Sequence, residues 1–203
     1  MAVVTISRQF GAGGKTLGEQ VAQSLGYRFL HETQLDTMAE EAMKGAGQDA
    51  EASHYHSLVV DLLTNLAPSN FMDRWTGASQ WDEKQHIGAL TRVIQGLAGE
   101  DKVVLLGRGS QFILRHHPGT VRILLVAKMA DRIQFMTRNY GMEQQQAVRL
   151  INDADKKRAR FLNNFYPGEP DEASLYHLTL NTSLVPLPSA INQVSRLVQR
   201  LEL

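Results

Sequence analysis

Short apolar runs alternate along the chain with longer stretches in which apolar residues recur every three or four positions. The short runs predict buried strands, because both faces of each run are hydrophobic. They lie at residues 3–6, 27–30, 103–106, 121–126 and 178–180. Strands that alternate with helices form a parallel sheet with helices on both faces. The pattern therefore predicts an α/β fold.

The intervening stretches have the spacing of helices. Helices are expected at residues 16–25, at 31–66 with an interruption around 45–47, at 87–97, from about 131 to 141, at 143–164, and from about 191 to 201. Residues 67–81 have the composition of a loop and contain both tryptophans. With 203 residues and no internal repeat, the chain is expected to be a single domain, residues 1–203.

The composition narrows the class of protein. A hydrophobic content of 43% with 21% charged residues is typical of a soluble globular chain. The 21 basic residues balance the 21 acidic ones, which argues against nucleic acid or an acidic membrane as a partner. Cysteine is absent, which excludes disulfides, thiolate metal sites and cysteine nucleophiles. No signal peptide or membrane-spanning run is evident, so a cytoplasmic location is expected.

A glycine-rich loop stands between the first predicted strand and the first predicted helix. Glycines allow main-chain amides to face a phosphate, and the helix N-terminus favours negative charge. Gly14-Lys15-Thr16 match the end of the phosphate-loop pattern G-x-x-x-x-G-K-[ST], whereas Gln9 stands in the position of its first glycine. A turn without a ligand is the alternative. We expect the loop to bind nucleotide phosphates through Gly11, Ala12, Gly13, Gly14, Lys15 and Thr16.

Two further places carry candidate chemistry. Gly107-Arg108-Gly109 directly follows the third predicted strand, at the edge of a parallel sheet where ligands bind. Asp155 and Arg158 lie three residues apart on one predicted helix, so they share a face, and we expect the carboxylate to orient the guanidinium.

The segment VTISRQFGAGGKTLGEQVAQSLGY, residues 4–27, resembles the start of the cytidylate kinase-like family. The resemblance extends over nearly the whole chain through residues 107–109, 155–158 and 178–183. It implies a P-loop NTPase-type three-layer α/β/α sandwich with a five-stranded parallel sheet and a helical lid. It also implies an acceptor-side helical insertion at about residues 31–100 and a lid at about 142–166.

The resemblance implies roles for the candidate residues, with ATP and Mg²⁺ as cofactors. Lys15, Arg158 and Asp155 are expected to be catalytic, and Thr16 is expected to be the metal ligand. The residues expected to face the phosphate acceptor are Arg108, Arg132, Glu32 and His31.

The acceptor side departs from the family's pattern. Leu30-His31-Glu32-Thr33 replaces a leucine-aspartate-serine-glycine stretch, and Gly109 replaces an aspartate. CMP or dCMP is therefore a default acceptor. A kinase for a non-nucleotide metabolite and a regulatory P-loop module that binds nucleotide with little turnover remain open. A homodimer is compatible with the sequence, which does not determine the oligomeric state.

Overall fold

The computed structural model describes residues 2–44 and 83–201. Its five strands form one sheet in the order β2-β3-β1-β4-β5, and every neighbouring pair is parallel. The strands are β1 (Val3–Arg8), β2 (Arg28–Leu30), β3 (Val103–Leu106), β4 (Thr120–Val126) and β5 (Leu178–Asn181). The predicted α/β fold with five parallel strands is confirmed.

Seven α-helices surround the sheet within the described residues. They are α1 (Gly14–Leu25), α2 (Glu32–Lys44), α3 (Glu83–Gly99), α4 (Ser110–Ile113), α5 (Met129–Tyr140), α6 (Gln144–Leu162) and α7 (Leu187–Leu201), with a 3₁₀ turn at Ala173–Leu175. The predicted interruption around 45–47, the rest of the predicted helical stretch to residue 66, and the tryptophan-bearing segment 67–81 lie outside the described residues. No helix in the described ranges is long and apolar enough to cross a membrane.

The alternation of side chains along β1 produces the three layers. Val4 and Ile6 pack into a core with α1 and α7, whereas Val3 packs into a second core with α2 and α3. Each of these three side chains is fully buried. Successive residues of a strand point to opposite faces, so a continuous apolar run supplies both cores.

Helix α1 lies close to β2 because Gly18 carries no side chain. A Cβ atom at this position would stand 2.3 Å from Cε2 of Phe29. The helix ends at Gly26, whose left-handed backbone (φ 67°) directs its N–H to the carbonyls of Ala22 and Gln23. This packing fixes where α1 begins, beneath the carboxyl end of β1.

Candidate active site

The glycine loop connects β1 to α1 and is anchored to β4. The backbone N–H of Gln9 donates to the carbonyl of Leu125 at 3.0 Å, and the Gln9 side-chain carbonyl accepts from the N–H of Ala127 at 3.0 Å. Gln9 occupies the position where the phosphate-loop pattern has its first glycine. Its amide side chain thus ties the loop to the sheet, a role that the pattern alone did not indicate.

The other loop residues need small side chains. Gly11 and Gly13 have φ values of 83° and 81°, in the left-handed region that favours glycine. A Cβ at Gly14 would stand 2.9 Å from Cγ of Arg8, and one at Gly11 would stand 3.1 Å from Cβ of Arg132. The loop therefore wraps closely over two arginine stems.

The start of α1 presents main-chain donors to the loop's interior. Gly13 is the N-cap and supplies no side-chain hydrogen bond, and the first intrahelical bond runs from the N–H of Leu17 to its carbonyl. The helix leaves the amides of Gly14, Lys15 and Thr16 without intrahelical partners, and its dipole favours an anion there. The Lys15 side chain is half exposed and lies 3.9 Å from Glu19. These donors, the ammonium and the Thr16 hydroxyl fit a phosphate chain with its metal ion.

An open cleft lies over the loop. One wall is residues 31–33 at the start of α2, and the other is formed by Phe135, Met136 and Tyr140 on α5. The structure therefore brings the predicted phosphate-binding residues, except Ala12, together with His31 and Glu32. The N–H of Ala12 donates to the carbonyl of Gln9 at 3.1 Å. Arg108, Arg132, Asp155 and Arg158 are not among the residues that line this cleft.

His31 lies at the cleft wall with a perturbed proton affinity. Burial lowers the pKa of the His31 imidazole, and the charge of Lys15 lowers it further, while the carboxylate of Glu32 acts in the opposite direction. A lowered pKa favours the neutral imidazole near pH 7. His31 therefore adds a polar group to the cleft without a positive charge.

Arg8 is a site residue that the sequence reasoning did not single out. It closes β1, forms an ion pair with Glu32, and passes under Gly14 toward Gly107. Burial lowers the pKa of the Arg8 guanidinium, although Glu32 acts to raise it, and an arginine stays protonated in such surroundings. The sequence did hold one indication of this role, because Arg8 is the last residue of the strand that leads into the glycine loop.

Arg132 and Asp155 hold the glycine loop at Phe10, its second residue after β1. Nη1 of Arg132 donates to Oδ2 of Asp155 at 2.7 Å and to the carbonyl of Phe10 at 3.2 Å. The N–H of Phe10 donates to Oδ1 of Asp155 at 3.3 Å. Arg132 is buried, and Asp155 is about two-thirds buried. The pair therefore satisfies both main-chain polar groups of Phe10.

Arg158 is fixed at the end of β1 by other partners. Its Nη2 donates to Oδ1 of Asp171 at 2.5 Å and to the Ser7 hydroxyl at 2.8 Å, and its Nη1 donates to Oδ2 of Asp171 at 3.2 Å. The expected pairing of Asp155 with Arg158 is wrong. Although the two side chains are three residues apart, Asp155 faces Phe10 and Arg132, while Arg158 faces Ser7 and Asp171.

Arg108 lies beside the cleft in a strained backbone conformation. Its φ is 53°, it pairs with Asp36 of α2, and its guanidinium carbon lies 5.6 Å from the centre of the Phe161 ring. A cation over an aromatic face adds attraction to the ion pair. Asp36 also lies 3.4 Å from Nε2 of His86. Arg108 thus joins the turn after β3 to α2, α3 and α6.

The described residues contain no group of three or more histidine, aspartate or glutamate side chains arranged to hold a metal ion.

Comparison with solved structures shows the same fold in proteins of low sequence identity. An uncharacterized protein from Eubacterium ventriosum superposes with a TM-score of 0.72 at 14% identity, covering 98% of this chain and 99% of that one. A shikimate kinase from Bacteroides thetaiotaomicron gives 0.52 at 16% identity, covering 98% of both chains. A gluconokinase from Sinorhizobium meliloti gives 0.52 at 15% identity, covering 98% and 93%. These likenesses support the P-loop α/β fold.

Sequence comparison identifies the family. No curated protein sequence matches the chain. The family model described as the cytidylate kinase-like family matches residues 3–184, which is most of the chain. The resemblance drawn from the glycine loop and the three shorter segments is confirmed, and the chain belongs to the cytidylate kinase-like family.

Proposed function

We propose that this protein transfers the terminal phosphoryl group of ATP to a small acceptor. The observation that carries the proposal is the cleft that joins the glycine loop, the free amides at the start of α1 and Lys15 to a separate wall at residues 31–33. Phosphoryl transfer depends mainly on positioning two substrates and on stabilising charge. One side of the cleft suits the donor and the opposite wall suits the acceptor.

On the donor side, Gly11, Gly13 and Gly14 offer main-chain amides to the phosphates, and Lys15 neutralises their outer charge. The Thr16 hydroxyl is the proposed metal ligand. Bound Mg²⁺ neutralises phosphate charge and orients the phosphates. Phe135, Met136 and Tyr140 of α5 line the cleft beside the loop, and we assign to them the role of limiting access of water, which competes with the acceptor.

The contacts refine the roles proposed for the arginines and Asp155. We assign Arg132 and Asp155 to holding the loop at Phe10, because each is bonded there and neither lines the cleft. Arg158 is proposed to stabilise the charge that develops during transfer, after a rearrangement of α6 releases it from Asp171. Arg108 remains a proposed acceptor-side residue through its pair with Asp36 on the α2 wall.

Two acceptor classes fit the family and the site. CMP or dCMP is the acceptor suggested by the family resemblance. A non-nucleotide metabolite is favoured by the charge of the cleft, since Arg8, the one arginine among the described residues that line it, is already paired with Glu32. Both classes require the same donor site.

The test is acceptor-dependent release of ADP. Purified protein with Mg-ATP is assayed against nucleoside monophosphates and, separately, against small hydroxylated metabolites. Acceleration by one class supports the kinase. Tight binding of Mg-ATP with no acceleration by any acceptor would instead favour a regulatory nucleotide-binding module.

A further inference from the structure

The arginines around the cleft are already neutralised by carboxylates of the chain itself. The pairs are Arg8 with Glu32, Arg108 with Asp36, Arg132 with Asp155, and Arg158 with Asp171. An acceptor phosphate carries negative charge and is normally bound by arginines in bidentate geometry. Binding such a group here would require an existing ion pair to open. Within residues 2–44 and 83–201, the remaining cation that lines the cleft is Lys15, which the donor phosphates engage in the proposed function.

Glu32 adds a hydrogen-bond acceptor to the acceptor wall. The residue is only 7% exposed, and one carboxylate oxygen is held by Arg8. The other oxygen, Oε2, is buried and has no hydrogen-bond partner among the described residues. Buried polar atoms are nearly always partnered, so an unpartnered carboxylate oxygen at a cleft wall points to a ligand that donates a hydrogen bond. The terminal torsion of glutamate is broad, so the carboxylate can turn this oxygen toward the cleft.

We propose that the acceptor is a small neutral hydroxyl compound, such as a sugar or polyol, and that Oε2 of Glu32 accepts the hydrogen bond of the attacking hydroxyl. This inference rests on the proposed function and specifies its acceptor. An ionised carboxylate only accepts hydrogen bonds, so Oε2 can bind a hydroxyl donor but not a phosphate oxygen, which is itself an acceptor. The cleft therefore favours an acceptor that donates a hydrogen bond to Oε2 over one that needs an unpaired arginine.

The chemical step balances with the groups named. The hydroxyl oxygen forms a bond to the γ-phosphorus of ATP while the bond from that phosphorus to the β,γ-bridging oxygen breaks. The bridging oxygen leaves with its electron pair as part of ADP, and the hydroxyl proton passes to Oε2 of Glu32. The products are a phosphate monoester, ADP and a protonated Glu32, which returns its proton to solvent.

The experiment compares two acceptor panels with the wild-type protein and Mg-ATP. One contains CMP, dCMP, UMP and AMP; the other contains neutral sugars and polyols. We expect ADP release to be accelerated by at least one neutral hydroxyl compound and by none of the monophosphates. Acceleration by monophosphates alone would overturn the inference and leave the proposed kinase standing. No acceleration by either panel, with Mg-ATP bound, would overturn both.

A variant pair tests Glu32 itself. Glu32→Gln removes the proton acceptor and should lower kcat for the hydroxyl acceptor by about 10²- to 10⁴-fold, the usual contribution of a general base. The KM for ATP should stay within about threefold, since the donor side is unchanged. Glu40→Gln, on the same helix and outside the cleft lining, is the matched control and should leave both constants unchanged.

The loss of charge in Glu32→Gln removes the partner of Arg8, so folding is checked by thermal melting. Glu32→Asp keeps the charge and serves if the glutamine variant does not fold. Its shorter side chain withdraws the carboxylate from the cleft, so kcat should again fall while ATP binding persists. Unchanged kcat in a folded Glu32 variant would contradict the assignment of Glu32.

Discussion

Arg132 of α5 and Asp155 of α6 meet at 2.7 Å, and between them they bond both main-chain polar groups of Phe10. The pair therefore connects two helices to Phe10 in the glycine loop. Fixing the loop in this way before nucleotide arrives reduces the ordering that binding would otherwise require. We infer that Arg132 and Asp155 keep the loop in its phosphate-binding shape.

A double-mutant cycle tests this pair. Asp155→Asn and Arg132→Gln should each lower the free energy of unfolding by about 1–3 kcal/mol, because each leaves a buried or half-buried polar group without its partner. The double variant should lose less than the sum of the two, since the second change removes a group that is already unpaired. Urea unfolding measures all four proteins. Strict additivity would show that the two residues act independently, and Asp153→Asn, exposed on the same helix, is the control.

Replacing a glycine by alanine should change the free energy of unfolding in opposite directions at Gly18, which packs against β2, and at Gly96, which packs against nothing nearby. Gly18→Ala places a Cβ against the ring of Phe29 and should destabilise the fold by about 1–3 kcal/mol. Gly96→Ala, on α3, meets no atom within 4 Å and should stabilise by about 0.5–1 kcal/mol through helix propensity. Thermal melting measures both. Equal effects at the two positions would contradict the close contact between Gly18 and Phe29.

The proposed role of Arg158 predicts that its removal lowers kcat much more than it lowers the affinity for ATP. Arg158→Ala should lower kcat by about 10-fold or more with little change in ATP affinity, because the guanidinium acts on charge that develops only during transfer. Steady-state kinetics with the best acceptor measures the split. Arg160→Ala, exposed in the last turn of the same helix, is the control. An equal loss of kcat and ATP affinity would assign Arg158 to ground-state binding instead.

The fold was largely predictable, whereas the partners of the site residues were not. Five apolar runs and the helical spacing between them were sufficient for the parallel sheet, since those patterns report burial directly. Helix ends shifted by a few residues: α1 begins at Gly14, earlier than Thr16, because glycine in the left-handed conformation at Gly13 already serves as its cap. The four-residue helix α4 is too short to show a period.

The ion pairs of the site depend on contacts between distant parts of the chain. The spacing of Asp155 and Arg158 predicted a local pair, yet each found a partner 13 to 23 residues away. Arg8 and Glu32, 24 residues apart, meet only because β1 and the start of α2 reach the same edge of the sheet. Periodicity predicts which face of a helix a residue occupies but does not indicate what is packed against that face.

Protonation of His177 is expected to contribute to the pH dependence of the free energy of unfolding. Its Nδ1 accepts a hydrogen bond from the N–H of Arg122 at 3.0 Å, and burial, with the charge of Arg122, lowers its pKa below the usual 6.5. The unfolded chain therefore binds the proton more tightly, so the stabilising contribution is complete above about pH 6.5 and is lost as the pH falls toward the folded-state pKa. Urea unfolding at pH 7.5 and 5.5 should show a larger acid loss for the wild type than for His177→Gln. Equal losses in the two proteins would contradict this assignment.

The central claim is that the amides of the glycine loop and the ammonium of Lys15 bind the phosphates of ATP. The most direct measurement is calorimetric titration of a non-hydrolysable ATP analogue with Mg²⁺ into the wild type, Lys15→Met and Lys102→Met. Lys102 directly precedes β3, so it lies at the amino ends of the strands, whereas the glycine loop lies at their carboxyl ends. It serves as the control. We expect Lys15→Met to weaken binding by about 10- to 150-fold, equivalent to the loss of about 1.5–3 kcal/mol from a charged hydrogen bond, and Lys102→Met to bind as the wild type does. Absence of binding to the wild type, or equal affinity in all three proteins, would contradict the claim.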